Sequence, residues 1–158
     1  MTDTPGNSRT PRLGEIGLDN FAPYLMNRIM GRYNADLRQQ TDTMGLTTPK
    51  MRALAVLSVV DGLLIRELAV YAVVELSTLS RALDQLETKA LLRRAPDSTD
   101  NRATRVYITP AGREAFEAHW PAMARAYEAM FENIPDSERH AFVSTLQKIL
   151  GNIRIHDF

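Results

Sequence analysis

The polar side chains of "DSTDNRATRVYITPAG", residues 97–112, have types and spacings suited to nucleic-acid chemistry. Asn101, Arg102 and Arg105 fall at the predicted tip of a short hairpin, where a guanidinium can enter the minor groove of a duplex. The Thr-Pro pair that follows predicts a helix start, because it offers a hydroxyl cap and a ring that fits the first helical turn. The stretch therefore predicts a cationic tip held next to a helix.

A second group of polar side chains precedes it in "VVELSTLSRALDQLETKALL", residues 73–92. The leucines and alanines of this segment form one apolar stripe at helical spacing. Hydroxyl groups away from the stripe can contact phosphates or bases, and an arginine can bind guanine through two hydrogen bonds. Asp84 and Glu87 lie near the polar face and would repel phosphate, so taken alone the face is more typical of a solvated surface. Its polar residues are Ser77, Thr78, Arg81, Gln85 and Thr88.

Periodicity and capping signals predict the elements that position these two groups. Asp19 is a candidate N-cap for the first long helix and Asp136 for the last, whereas Pro121 predicts a bend or a split in the helix before it. The predicted segments are a flexible arm over 1–16, helices over about 18–44, 47–61 and 66–72, the polar helix, strands in "LLRRA" and "TRVYIT", and helices from Thr109 and Asp136.

The order of these segments is informative. A short helix, a turn and a second helix with one polar face predict a helix-turn-helix, whose second helix can lie in the DNA major groove. A hairpin directly after it predicts a wing. We therefore expect a mainly α fold, with a winged helix-turn-helix core that carries a small two-stranded β-hairpin and is flanked by N- and C-terminal helices.

Composition excludes several classes of protein. The chain has 158 residues and no net charge, with 19 basic and 19 acidic side chains, so only the distribution of charge can favour a nucleic acid. Its longest unbroken apolar run, residues 68–74, is far shorter than the roughly 20 residues of a membrane-spanning helix. There is no export signal and no cysteine, so we expect a cytoplasmic protein that contacts no membrane.

Signals for catalysis are absent from the sequence. The three histidines lie in the C-terminal part without metal-ligand spacing, and no nucleophile elbow, phosphate loop or dinucleotide-binding glycine motif is present. We expect no enzyme, no metal and no cofactor.

The stretch "IRELAVYAVVELSTLSRALDQLETKALLRRAPDSTDNRATRVYITPAG" resembles the winged helix-turn-helix core of the MarR family of bacterial transcriptional regulators. That family's pattern contains ELA, a Ser-Thr-x-Ser-Arg helix start, D-x-LE, L-x-RR, a D-x-R wing and L-T-x-x-G. The likeness covers residues 46–112 in detail. The chain departs from the pattern at Val73, where a glycine is common, and at Leu76, where a polar or basic residue is common.

The resemblance implies a recognition helix that bears Ser77, Thr78, Ser80 and Arg81, and a wing in which Asp100 orients Arg102. It also implies a homodimer formed through helices at about 17–44 and 109–155, two half-sites in a palindromic operator, and a small aromatic or phenolic effector whose contact residues are unassigned. The winged core would span about 46–110 within one domain, 17–158.

We therefore predict a ligand-responsive, DNA-binding transcriptional regulator, with a repressor as the favoured form. Its predicted DNA contacts are Ser77, Thr78, Ser80, Arg81, Gln85, Asn101, Arg102 and Arg105. Two alternatives stay open at this point. One is a dimer of the same fold that binds a small ligand or a protein without reading DNA, and the other is a small enzyme that uses a cavity at the helix junction.

Overall fold

The computed structural model describes residues 9–41 and 45–158. Within the chain, Met1–Asp36 and Leu37–Phe158 form two compact units, which are described separately. The first half of the predicted flexible arm and the predicted helix end at Met44 lie outside the described residues. The predicted domain boundaries remain a prediction.

The described part of the first unit is helical. One turn of α-helix, α1 (Leu13–Ile16), is followed by a 3-10 turn at Leu18–Asn20 and by α2 (Ala22–Thr41), which continues into the second unit. The end of the predicted arm therefore forms a helical turn. The assignment of Asp19 as N-cap of the long helix is wrong, because this residue lies inside the 3-10 turn. Helix α2 starts later, where Pro23 fits the first helical turn.

Three helices form the middle of the second unit. They are α3 (Thr48–Val59), α4 (Ile65–Ala72) and α5 (Leu76–Thr88), close to the predicted bounds. Thr47 precedes α3 as predicted, although its hydroxyl makes no capping hydrogen bond. At the start of α4, Oε2 of Glu67 accepts the backbone N–H of Leu64 at 2.8 Å. This bond satisfies a donor that the first turn of a helix leaves unpaired.

The wing is built on three strands, where two were predicted. They are β1 (Leu63–Leu64), β2 (Leu92–Pro96) and β3 (Thr104–Ile108), in the antiparallel order β1-β3-β2. The additional strand forms because Asp61 accepts the N–H of Ile108 at 2.9 Å, which places the residues after it beside β3. Strand β3 of the hairpin is therefore paired with β2 on one side and with the chain between α3 and α4 on the other.

The core lies between α3, α4, α5 and the sheet. Helix α5 buries the predicted stripe except Ala90, which lies beyond its end and is exposed. The largest fully buried side chains are Leu54, Leu57, Leu68, Leu79, Leu83, Leu86, Leu92 and Val106. Their apolar surface fixes which face of α5 points inward and leaves the polar face to solvent.

Two further helices complete the second unit: α6 (Pro110–Met130) and α7 (Asp136–Ile153). Helix α6 is not split at Pro121. The N-cap of α7 is Pro135, not Asp136 as predicted; the aspartate belongs to the first turn, where its charge favours the helix dipole. Across the described residues, no helix is both long and apolar enough to cross a membrane.

The junction between the wing and α6 is tightly packed. The Thr109 hydroxyl accepts the N–H of Gly112 at 3.0 Å and donates to the carbonyl of Ala90 at 2.7 Å. A Cβ added at Gly112 would overlap the carbonyl oxygen of Leu91, so only glycine fits there. The Thr-Pro-Ala-Gly sequence thus joins the end of the hairpin, the start of α6 and the segment after α5.

Candidate nucleic-acid interface

Helix α5 presents the polar face that its sequence predicts. Ser77, Thr78, Arg81 and Gln85 are exposed, whereas Ser80 is half-buried. No residue in the described part of the chain pairs with the guanidinium of Arg81. The helix therefore offers two hydroxyls, an amide and a free cation on one surface.

The turn before α5 carries an unusual backbone conformation. Val73 lies in the left-handed region, with φ 53° and ψ 53°, and its side chain is 76% exposed. A β-branched residue is strained there, and glycine would be relaxed. Nη1 of Arg52 donates to the Val73 carbonyl at 3.1 Å and Val74 donates to Ala69 at the same distance, which holds the turn in place.

The wing tip is organised by Asp97, a residue that the sequence analysis did not identify. Its buried carboxylate accepts the hydroxyl of Thr99 at 2.6 Å, the backbone N–H of Thr99 at 2.9 Å and that of Asp100 at 3.1 Å. It also pairs with Nε of Arg105. The Thr99 hydroxyl and N–H, followed by Arg105, hold the Asp97 pKa far below its ordinary value, because each donor favours the ionised carboxylate.

Asp100, which the resemblance expects to orient Arg102, contacts that residue through its backbone. Its Oδ1 accepts the backbone N–H of Arg102 at 2.9 Å, so it shapes the loop and does not bind the guanidinium. The carboxylate and guanidinium that do pair at the wing are Asp97 and Arg105. An aspartate side chain readily accepts the backbone N–H two residues later, which explains why Asp100 binds the backbone of Arg102.

Arg105 is correspondingly held by other groups of the protein. Besides pairing with Asp97, its Nη1 donates to the carbonyl of Gly62 at 2.7 Å. Arg102 and Asn101 are exposed at the tip, and among the described residues none pairs with the Arg102 guanidinium. This placement favours Arg102 over Arg105 as the wing cation that can reach a ligand.

A charge cluster connects helix α5 to the wing. Nε of Arg94, on β2, donates to Oε2 of Glu87 at 2.8 Å, and its Nη2 donates to Asp84 at 2.8 Å. The hydrogen bond from Arg94 is the main reason why the pKa of Glu87 is lowered. The two acids that were expected to repel phosphate are therefore partly neutralised by the protein itself.

Two sequence signals could have revealed these contacts. Asp97-x-Thr99 is the pattern of an Asx turn, in which a carboxylate accepts N–H groups two and three residues later. Arg93 and Arg94 point to opposite faces of a strand, so only one can reach α5. Arg93 instead stacks over the Tyr107 ring, with 4.2 Å between its guanidinium carbon and the ring centroid.

The histidines do not assemble a site. His119 is buried, and its Nδ1 lies 2.7 Å from the carbonyl oxygen of Ala115. In the part of the chain that the structure describes, no group of three His, Asp or Glu side chains is arranged to hold a metal ion.

Comparison with known proteins identifies relatives over most of the chain. A family model described as the MarR family matches residues 44–103. The crystal structure of a MarR-family transcriptional regulator from Silicibacter pomeroyi is 55% identical, with a TM-score of 0.89 over 94% of this chain and 100% of that one.

Two more distant relatives are also similar over most of their length. The HTH-type transcriptional repressor IacR of Pseudomonas putida is 23% identical over 143 residues, which is 90% of this chain and 86% of that protein. CouR from Rhodococcus jostii RHA1, in a crystal structure with p-coumaroyl-CoA, shares the fold at 21% identity and a TM-score of 0.74, over 89% and 99% of the two chains.

Proposed function

Because this chain belongs to the MarR family of transcriptional regulators, we propose that it is a repressor that binds a palindromic operator as a homodimer. One observation carries the proposal: the exposed polar face of α5 is linked through Arg94 to a wing whose tip exposes Arg102. A helix in the major groove and an arginine in the adjacent minor groove are the two contacts that this arrangement allows.

The contacts divide into two kinds. Arg81 is the candidate for reading a base edge, because a guanidinium can bind guanine through two hydrogen bonds. Ser77, Thr78 and the half-buried Ser80 are candidates for phosphate contacts near the helix start, with Gln85 one turn beyond Arg81. Asn101 and Arg102 would contact the minor groove or its phosphates.

Charge distribution supports DNA over the alternative of a dimer without DNA readout. That alternative rests on Leu76, an apolar residue at the start of α5, and on Asp84, whose charge, like that of nearby Glu87, would oppose a phosphate backbone. Both acids accept hydrogen bonds from Arg94, whereas Arg81 and Arg102 have no acidic partner among the described residues. The face therefore keeps unpaired cations although the chain as a whole has no net charge.

Exposed apolar side chains support pairing of two chains. Large hydrophobic residues remain at the surface of the helices that flank the winged core, and their burial would be favourable. A two-fold dimer would present two α5 helices to half-sites about 34–36 Å apart. These exposed residues include Leu25, Ile29, Met30, Tyr127, Met130, Phe142, Ile149 and Leu150.

Two relatives support an effector that acts on such a repressor. IacR is named a repressor, and the CouR crystal structure contains an aromatic acyl thioester. We propose a small aromatic or phenolic effector that lowers operator affinity. A panel of benzoate, hydroxybenzoate and cinnamate derivatives added to the protein–operator complex would identify it by release of the DNA.

The experiment that tests the core proposal is selection of bound duplexes from random DNA, followed by fluorescence anisotropy at increasing salt. A DNA reader should recover an inverted repeat and lose affinity at about 0.9 log unit per neutralised phosphate for each log unit of salt. Sedimentation equilibrium of the free protein and of the complex should give two chains per operator. Recovery of no preferred sequence, and no binding even at low salt, would contradict the proposal.

A further inference from the structure

The start of the recognition helix carries an apolar side chain where hydrogen-bonding groups are expected. Leu76 is the first residue of α5 and is 51% exposed, whereas Leu79 and Leu83, on the same helical stripe, are fully buried. Leu76 thus lies at the edge of the core and contributes only part of its surface to folding. The rest faces solvent beside Ser77 and Thr78.

The corner is apolar on both sides of the turn. Val73, three residues earlier, is 76% exposed and keeps a strained left-handed backbone, although its side chain is not part of the core. Backbone strain of this kind is found at functional sites, where another requirement outweighs its cost. Two exposed apolar side chains therefore mark the end of the turn and the start of α5.

We propose that Leu76 is a specificity-determining residue that contacts the C5-methyl group of a thymine in each operator half-site. The inference rests on the proposed function and adds which base the first turn of α5 selects. Residues at the N-terminal end of a recognition helix contact base edges in the major groove. Leucine has no hydrogen-bonding group, and the thymine methyl is the apolar group that projects from a base edge into the major groove.

The same contact discriminates against other bases. A leucine placed over the edge of a G·C pair would remove water from donors and acceptors without replacing their hydrogen bonds. Arg81, on the exposed face of the same helix, supplies the attraction that brings this corner to DNA. Leu76 then selects among sequences, and Arg81 adds a polar contact five residues further along the helix.

The test replaces thymine with deoxyuridine at single positions of the selected operator, which removes one methyl group and leaves base pairing unchanged. One thymine in each half-site, at symmetric positions, should respond. Replacing it in a single half-site removes one buried methyl group and should weaken binding of the unmodified protein about fourfold. Replacing both copies should weaken it about fifteenfold, if the half-sites act independently. Other thymines should show no such effect.

Leu76→Ala tests the assignment. Because Leu76 is half exposed and alanine favours helix, the variant should fold, as circular dichroism will show. It should bind the thymine and deoxyuridine operators equally, with the affinity of the unmodified protein for the deoxyuridine form. Ile155→Ala is the matched control: Ile155 is 88% exposed but follows α7, and the control should keep the fourfold preference.

Three results would overturn the inference in distinguishable ways. Operator binding that is indifferent to every deoxyuridine would refute the methyl contact and leave the proposed function intact. A preference for thymine that survives in Leu76→Ala would assign the methyl to another residue or to DNA shape. Failure of the unmodified protein to bind any duplex would overturn the proposed function, and this inference with it.

Discussion

Arg94 and Glu87 join the wing to helix α5 through hydrogen bonds from both the backbone and the side chain of Arg94. Nε of Arg94 donates to Oε2 of Glu87 at 2.8 Å, and the backbone N–H of Arg94 donates to Oε1 at 3.0 Å. The bond from the backbone N–H fixes the position of the strand, and the bond from Nε fixes the side chain. The pair therefore sets the position of β2 relative to the face of α5 that we propose binds DNA.

Replacing Arg94 with methionine should weaken both stability and DNA binding. The variant keeps an apolar stem but leaves Asp84 and Glu87 without their cation. The pKa of Glu87 in the folded protein is lowered from its ordinary 4.5. The stability that the pair contributes is therefore fully present above pH 4.5 and is lost as the pH falls through the lowered pKa of the folded state.

Urea unfolding checks this prediction. The difference in unfolding free energy between the unmodified protein and Arg94→Met should be present at pH 7 and should shrink toward pH 3. Arg93→Met is the control, because Arg93 stacks on Tyr107 and pairs with neither acid. A difference that does not change with pH would show that the Arg94–Glu87 pair is not its source.

Arg81→Ala and Arg102→Ala should affect DNA binding differently. Loss of a base contact at Arg81 should relax preference at one position per half-site, by about 1–3 kcal/mol of discrimination. Loss of Arg102 should weaken binding to all sequences and reduce the salt slope by about one per chain. Competition binding with a library of mutated operators measures both, with Arg154→Ala as a control beyond α7. Identical profiles for the two variants would reject this division of roles.

Asp97→Asn should loosen the wing tip, whereas Asp100→Asn should change little. Asp97 loses the charge that holds Thr99, Asp100 and Arg105, but an asparagine at 100 keeps the oxygen that accepts the N–H of Arg102. Hydrogen exchange should accelerate at the amides of Thr99 and Asp100 in the first variant only. A larger effect of Asp100→Asn would restore the role that the family resemblance gave to Asp100.

Val73→Gly should stabilise the protein by about 1 kcal/mol, because glycine adopts the left-handed conformation without the cost that a β-branched residue bears. Val70→Gly, inside α4, should instead destabilise it by about 1 kcal/mol. Thermal or urea unfolding measures both changes. Lower stability of Val73→Gly would mean that the Val73 side chain makes contacts that outweigh its strain.

Gly112→Ala should destabilise the protein by more than about 3 kcal/mol, because the new methyl group overlaps backbone and α6 must shift away from the hairpin. Gly151→Ala, in α7, meets nothing within 4 Å and should gain up to about 1 kcal/mol from helix propensity. Unfolding curves of the two variants give the comparison. Equal stabilities would show that the junction at Leu91 adjusts easily.

The sequence alone predicted helices α2 to α7 and the hairpin of β2 and β3 in their order, but neither β1 nor the helical turn α1. The apolar stripe of α5 predicted which residues are buried, since a helix places every third or fourth side chain on one face. Thr109 and Pro110 predicted the start of α6 through local backbone chemistry. The hairpin and the family resemblance followed from the same short-range patterns.

Only the tertiary structure decided which charges pair. Arg105 bonds to Gly62, 43 residues away, and Asp61 bonds to Ile108, 47 residues away; these contacts create β1 and remove Arg105 from the set of free cations. Arg94 likewise neutralises acids on another element. Periodicity and capping act over one or two helical turns, whereas the pairing of side chains depends on how elements pack.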